Sequence, residues 1–205
     1  MPTDIAREDL PTMNRSHACW IAVLFAASAI VAAATAAGPH APLQKEFKTR
    51  TLDPEHARLT AMCGVWDVEV TFWFKPGGPG IATKGTSAIR PLFDGLFVEA
   101  QIAGLLNGVP YTTLAWTGFN TSTHQYEATR IASTNTIRIA ETGVFDEKSK
   151  QFELKADYPF AGDTWRQRTV IQPLTADTMI ATSYLSFGNV PEWKGVEIKY
   201  TRQGK

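Results

Sequence analysis

Two short motifs constrain the fold of this chain more than any other feature. A Gly-x-Trp segment at 64–66 opens the first strand-like stretch, and a Tyr-x-Arg segment at 200–202 closes the last one. Between them, alternating apolar and polar residues predict β-strands, because successive side chains of a strand point to opposite faces. We therefore expect a sheet closed on itself, with its first and last strands as neighbours and Trp66 in contact with Arg202 at one end.

The chain between these motifs contains about ten segments with strand character and no second helical pattern. Turn-forming pairs such as Asp94–Gly95 and Asn107–Gly108 separate them at hairpin spacing. Such a long antiparallel meander has to close or stack, because free strand edges promote aggregation. We predict an all-β fold, a single antiparallel up-and-down barrel; a two-sheet sandwich is the alternative. The expected strands are 64–74, 82–90, 96–103, 111–119, 125–133, 136–145, 151–158, 165–173, 178–186 and 193–203.

A short helix is expected immediately before the first strand. Asp53 can accept hydrogen bonds at the helix start, and Pro54 suits the first helical position. Leu59, Met62 and Cys63 have the spacing of one apolar helix face. We predict that this helix caps one end of the barrel.

The first part of the chain has the pattern of an export signal. Residues 18–37 form an apolar, alanine-rich run that ends in the Ala-x-Ala sequence 34–36, and Met13 would give it a short, positively charged leader. We interpret residues 1–37 as a start-site extension plus a secretory signal peptide, 38–51 as a linker and 52–205 as the barrel domain. This predicts a periplasmic or secreted protein with its true start at Met13 and no stable membrane span after cleavage. An uncleaved membrane anchor is the alternative.

Charge and cysteine content exclude several classes of function. The chain has 20 Lys and Arg against 20 Asp and Glu, and the balance stays close to neutral without the leader. Nucleic acid and anionic membranes are therefore poor candidates for the main partner. Beyond the leader only Cys63 remains, so an intramolecular disulfide is impossible. We interpret Cys63 as a small buried apolar residue, with a reactive thiol as the alternative.

No catalytic or metal motif is present. His40, His56 and His124 are far apart in sequence, and no cysteine cluster accompanies them, so we predict neither a metal nor a cofactor. The chain also lacks a Gly-x-Ser-x-Gly segment and a phosphate-binding glycine loop that opens a helix. The catalytic residues, if the protein is an enzyme, are not identified by the sequence.

Charged and aromatic residues on the predicted strands are candidates for a ligand pocket. A carboxylate that points inward beside an arginine would make a polar interior able to orient a carboxylate or carbonyl group. Aromatic residues with a polar tip are typical of pocket walls. The alternatives are a solvent-facing position for the charges and core packing for the aromatic rings. The candidates are Glu99, Trp116, Tyr126, Arg130, Glu141 and Tyr184.

The order and spacing of several short segments resemble a bacterial family catalogued as domain of unknown function 1579. The resemblance implies a calycin-like, lipocalin-like barrel in which the Gly-x-Trp of the first strand packs against an Arg of the last, here Trp66 against Arg202. It implies no activity. The sequence differs from the usual pattern at Asp94–Gly95 and at Arg130–Ile131. The matching segments lie at 55–67, 94–99, 118–126, 143–146, 165–166 and 197–202.

These observations leave three hypotheses for function. The first is an exported binding protein whose barrel holds a small apolar or amphipathic molecule. The second is an enzyme that uses a barrel carboxylate, Glu99 or Glu141, as an acid or base. The third is a structural or partner-binding envelope protein with a filled barrel. A cavity would favour the first, paired inward carboxylates the second, and a filled interior with an exposed apolar patch the third.

Overall fold

The computed structural model describes residues 52–204. The predicted leader at 1–37 and the linker at 38–51 lie outside the described residues. The domain contains one α-helix and ten strands, with a short 3-10 turn at Phe93–Gly95. The elements are α1 (Pro54–Ala61), β1 (Gly64–Phe72), β2 (Ile81–Leu92), β3 (Phe97–Leu106), β4 (Val109–Asn120), β5 (Gln125–Ala132), β6 (Ile139–Asp146), β7 (Gln151–Phe160), β8 (Asp163–Pro173), β9 (Thr178–Phe187) and β10 (Trp193–Arg202).

The strands form a closed antiparallel barrel. Each strand pairs with its neighbour in sequence, and β1 pairs with β10 to complete the ring. The β1–β10 register places Trp66 opposite Arg202 and Phe72 opposite Val196. The predicted all-β class, up-and-down topology and strand number are confirmed, and the two-sheet sandwich is wrong. Most boundaries differ by one to three residues; β1 ends at Phe72 rather than residue 74, β3 ends at Leu106 rather than residue 103, and β6 begins at Ile139 rather than residue 136.

Side-chain alternation divides each strand between the barrel interior and the outer surface. In β1, Trp66, Val68 and Val70 are buried, whereas Asp67 and Glu69 between them are exposed. Since ten strands contribute inward faces in this way, the apolar interior extends from end to end. Burial of apolar surface is the main favourable contribution to folding. This alternation therefore favours strands, and it favours a closed sheet that buries all the inward faces in one interior.

Helix α1 covers one end of the barrel, as predicted. The Asp53 carboxylate accepts a hydrogen bond from the Glu55 backbone N–H (3.1 Å), and the buried His56 Nδ1 accepts one from the Asp53 N–H (3.1 Å). The Tyr126 hydroxyl at the start of β5 donates to the backbone carbonyl of Glu55 (3.2 Å) and contacts its carboxylate. The Trp66 indole N–H donates to the Met62 carbonyl (3.2 Å). These contacts fix the helix across this end, hereafter the closed end.

Arg202 joins β1, β10 and the helix at the closed end. Its guanidinium carbon lies 4.0 Å from the centre of the Trp66 ring. Its Nη1 donates to the Cys63 carbonyl (2.7 Å) and its Nε to the Ala176 carbonyl (2.9 Å). Gly64 leaves space for it: a Cβ at this residue, whose φ is +151°, would lie 2.1 Å from Nη1. The Gly-x-Trp motif and the terminal Arg thus form one contact.

The opposite, open end is formed by strand ends and connecting loops. An aromatic cluster lies there on β8–β10, where the Trp165 ring stacks on Phe187 at 4.6 Å and meets Trp193 at 5.8 Å. β5 and β6 pair only from Tyr126–Gly143 to Arg130–Ile139. The two strands therefore part before they reach the open end, and residues 133–138 connect them there.

Candidate functional site

The inward faces of all ten strands enclose a cavity of about 350 Å³. This volume lies within the range of small-molecule sites, about 300–1,000 Å³. The cavity is lined mainly by aliphatic side chains, with Met62 at the helix end. Representative wall residues are Val70, Ile89, Val98, Ile102, Ile171 and Ile198. The interior is therefore hollow at its centre and apolar over most of its surface.

One side of the cavity is built from small residues. The inward positions of β4 and β5 include Thr113, Ala115, Ala128 and Ala132, and they surround one large residue, Arg130. Arg130 is opposite Ala115 in the β4–β5 register. Because its neighbours have short side chains, the wall beside the guanidinium is recessed.

Arg130 points its charge into the cavity. It is half-buried, and its guanidinium has no hydrogen bond or ion pair with another side chain between residues 52 and 204. Burial raises the pKa of Tyr158 on β7 and of Tyr200 on β10, and the positive charge of Arg130 partly opposes both shifts. Both tyrosines line the same cavity as Arg130.

A second polar group in the cavity is the buried carboxylate of Glu141. Its Oε1 accepts hydrogen bonds from Thr169 Oγ1 (2.6 Å) and Gln167 Nε2 (2.9 Å). Thr169 is also 3.2 Å from Ser183 Oγ. These partners offset the desolvation of a charge that is only 5 % exposed. Glu141 and Arg130 lie on adjacent strands with inward side chains, so the cavity holds one acidic and one basic group.

Three tyrosines also line the cavity: Tyr111, Tyr158 and Tyr200. Burial raises the pKa of Tyr111 above its ordinary value. The Tyr111 hydroxyl is buried and has no hydrogen-bond partner within the described part of the chain. Buried hydroxyls normally have a partner, so this hydroxyl is available to a ligand.

The structure places the six predicted pocket residues in three different environments. Arg130 and Glu141 line the cavity. Tyr126 also faces inward, but it lies at the closed end against α1, where burial and the hydrogen bond to Glu55 raise its pKa.

The other three predicted pocket residues lie on the outer face, away from the cavity. Glu99 accepts hydrogen bonds from Arg90 Nε (2.8 Å) and the Trp116 indole N–H (3.0 Å) outside the barrel. Tyr184 packs under Arg168, whose guanidinium carbon is 4.2 Å from its ring centre. The physical reason is the two-residue period: Glu99 is one position out of phase with the inward residues of β3, and a shift of one residue reverses the face.

Sequence reasoning did not identify the other polar residues that line the cavity, which are Tyr111, Thr113, Thr117, Thr134, Asn135, Tyr158, Gln167, Thr169, Ser183 and Tyr200. The signal that could have found those on the strands is parity along each strand. Gln167 and Thr169 share the inward face of β8 with Ile171, and Ser183 shares the inward face of β9 with Met179 and Ala181. Fixing the inward phase of each strand from its most apolar set would have included these residues.

A second depression, of about 450 Å³, lies outside the barrel at the closed end, beside Trp66 and Arg202. Its charged groups are already paired. Arg58 forms an ion pair with Glu55, and Arg202 donates to backbone carbonyls. We therefore take the internal cavity, with its unpartnered polar groups, as the candidate site.

Within the region 52–204, no cluster of three or more His, Cys, Asp or Glu side chains is positioned to hold a metal ion. None of its helices has the length and apolar character required to cross a membrane. Burial raises the pKa of the Cys63 thiol, partly opposed by Arg202, which disfavours the reactive thiolate at that residue.

Comparisons with known proteins place the chain in a family. The model of the family described as "Protein of unknown function (DUF1579)" matches residues 51–202. The chain therefore belongs to this family. No curated protein matches the sequence.

Two solved structures are similar in fold. The S-type phycobiliprotein lyase CPES from Guillardia theta is 9 % identical, with a TM-score of 0.53 over 75 % of this chain and 94 % of that chain. A de novo designed fluorescence-activating β-barrel is 12 % identical, with a TM-score of 0.40 over 71 % of this chain and 96 % of that chain. At such identities the likeness to the lyase concerns the fold alone.

Proposed function

We propose that this DUF1579 protein is an exported binding protein that holds one small apolar or amphipathic molecule inside its barrel. The observation that carries the proposal is the cavity of about 350 Å³ inside the barrel, lined by inward side chains from every strand. A barrel of this size has room for one small ligand. The mainly aliphatic wall favours an apolar body, and a few polar groups in an apolar pocket are typical of ligand orientation.

The cavity argues against a structural protein with a filled barrel. Close packing is the rule in protein interiors, and large apolar voids are unfavourable because the lining atoms lose van der Waals partners. A ligand that occupies the cavity would restore those contacts. The hollow centre is thus better explained by a binding function than by a packed scaffold.

Catalysis is the second candidate function, and of the two predicted acid or base residues the geometry leaves one. Glu141 lies in the cavity, whereas Glu99 is on the outer face. Both hydrogen bonds to Glu141 are accepted by Oε1, which leaves Oε2 as the atom that would act on a bound ligand. A Glu141→Gln variant separates the two functions, because a binding protein would retain the same ligand whereas an enzyme would retain a substrate of different mass.

Export is the second part of the proposal. It is supported by the apolar run at 18–37 and the Ala-x-Ala sequence at 34–36. Expression from Met13 in a bacterial host, followed by mass spectrometry of the periplasmic fraction, tests it. A mass that matches cleavage near Ala36 supports export, and a full-length chain in the membrane fraction contradicts it.

Native mass spectrometry of the same preparation tests ligand binding. We expect extra mass that disappears on denaturation. Ala181→Phe would fill the middle of the cavity, and Ala140→Phe places the same ring on the outer face. Loss of the extra mass in the first variant only supports the internal site. Equal retention in both variants would show that the ligand binds elsewhere.

A further inference from the structure

Two polar groups that face the cavity lack a hydrogen-bond partner among residues 52–204. They are the Arg130 guanidinium on β5 and the Tyr111 hydroxyl on β4. The Ser87 hydroxyl on β2 is also buried without a partner, but it does not line the cavity, whereas Glu141 accepts from Thr169 and Gln167. A buried donor without a partner is unfavourable. A ligand in the lumen would supply a partner for the Tyr111 hydroxyl and a counter-charge for the half-buried Arg130.

Both groups line the same cavity. Arg130 is opposite Ala115 on β4, and Tyr111 lies on the same inward face of β4 as Ala115, four residues earlier. The positive charge of Arg130 and the Tyr111 phenol also act in opposite directions on the pKa of Tyr200 on β10, which burial raises. The recessed wall of Ala115, Ala128 and Thr113 leaves space beside the guanidinium. A ligand in this recess would contact donors on one side and the aliphatic wall on the other.

The charges in the cavity restrict the ligand further. Arg presents a planar fork of N–H groups that matches the two oxygens of a carboxylate. Together with Arg130 and Glu141, a monoanion gives the cavity a net charge of −1, whereas a dianion gives −2, which is more unfavourable beside the buried Glu141. A monoanion with an apolar body fits this combination better than a phosphate ester.

On the basis of the proposed function, we propose that the cavity binds an amphipathic monocarboxylic acid, with Arg130 and the Tyr111 hydroxyl donating to its carboxylate. The hydrocarbon part then lies against the aliphatic wall that includes Val98, Ile102 and Ile198. The closed end under α1 limits the length of the ligand, and the parted ends of β5 and β6 face the open end.

Octanoate and 1-octanol are the matched probes, because they share an alkyl chain and differ in the charged group. Isothermal titration calorimetry with the full chain at neutral pH should show tighter binding of octanoate. In Arg130→Met we expect octanoate affinity to fall about tenfold to a hundredfold, the range for hydrogen bonds to a charged group. Affinity for 1-octanol should change by less than about twofold, since that probe does not use the charge.

Controls separate a local effect from misfolding. Arg138→Met removes the same charge from an exposed residue near β6 and should leave both affinities unchanged. Arg130→Lys keeps the charge but loses the fork, and Tyr111→Phe removes only the hydroxyl. If Arg130→Met does not fold, as judged by circular dichroism, a selective loss of octanoate binding in these two variants still supports the proposal.

The possible outcomes distinguish this inference from the proposed function. Equal affinity of the unmodified protein for octanoate and 1-octanol, or unchanged octanoate binding in Arg130→Met, overturns the carboxylate site while internal binding stands. Tighter binding of octyl phosphate than of octanoate overturns the monocarboxylate assignment. Absence of binding by all three probes contradicts both proposals.

Discussion

Removal of the Arg202 side chain should open the closed end of the barrel and lower stability by about 3 kcal/mol. The cation–π contact with Trp66 contributes about 0.5–2 kcal/mol. The hydrogen bonds to the Cys63 and Ala176 carbonyls are short, and hydrogen bonds to charged groups contribute about 1.5–3 kcal/mol each when buried. Because the side chain is 25 % exposed, water replaces part of these interactions. Half of the summed contributions of the cation–π contact and the two hydrogen bonds gives about 3 kcal/mol.

Urea unfolding of Arg202→Ala followed by tryptophan fluorescence measures this loss. For a domain of this size, about 3 kcal/mol corresponds to a decrease in Tm of about 6–12 °C. Arg202→Lys keeps the charge but not the fork and should lose about half as much. Arg138→Ala, at an exposed residue, is the matched control and should change stability by less than about 0.5 kcal/mol.

A Gly64→Ala variant tests the same contact from the other side. Its Cβ would lie 2.1 Å from Arg202 Nη1, so the guanidinium would be displaced from the Cys63 carbonyl. Because both substitutions break one contact, the double variant should be less destabilised than the sum of the single variants. Additive effects, or a loss below about 0.5 kcal/mol in Arg202→Ala, would refute the role of this contact in closing the barrel.

Three further predictions concern the interior. Gly143→Ala should lose about 1–3 kcal/mol in urea unfolding, because its Cβ would meet the Glu153 backbone oxygen at 1.8 Å. Thr169→Val should lose about 1–3 kcal/mol in the same assay, since it removes a donor to the buried Glu141; no loss would mean that water replaces the hydroxyl. Unfolding free energy should begin to fall at about pH 9, where the unfolded Cys63 thiol ionises, and fall more steeply above about pH 10, because the unfolded phenols ionise first while burial raises the pKa of the folded ones; a flat profile in urea titrations between about pH 10 and pH 11 would contradict this for Tyr111, Tyr126, Tyr158 and Tyr200.

The fold was accessible from sequence because each strand carries its own pattern. In β1 the alternation of Trp66, Val68 and Val70 with acidic residues fixes both the strand and its inward face. The capping residues Asp53 and Pro54 define the helix start in the same local way. The start of β6 was less predictable. Residues 136–138 have strand-forming side chains, but the β5–β6 pairing stops at Arg130–Ile139 and does not include them. Loss of pairing depends on the neighbouring strand and leaves no local signal.

The site was less accessible than the fold. Arg130 and Glu141 were found because charged residues on a buried strand stand out, but Glu99 has the same appearance and lies outside. Glu99 is only 9 % exposed because Arg90 and Trp116 cover it. Its burial on the outer face results from cross-strand neighbours on β2 and β4, and sequence periodicity does not encode such neighbours. The available volume beside Arg130 likewise depends on the summed size of residues from two strands.

The single pairing between β1 and β10 has a consequence for how the chain is made. Every other strand pair joins neighbours in sequence, and so can form as soon as the second strand leaves the ribosome. β1 must wait for the final strand, Trp193–Arg202, before its free edge is covered. A partly synthesised chain is thus an open sheet with two unpaired edges, the arrangement most prone to joining other chains. Truncation before β10 would make that vulnerable intermediate permanent, even though most of the hairpins would be intact.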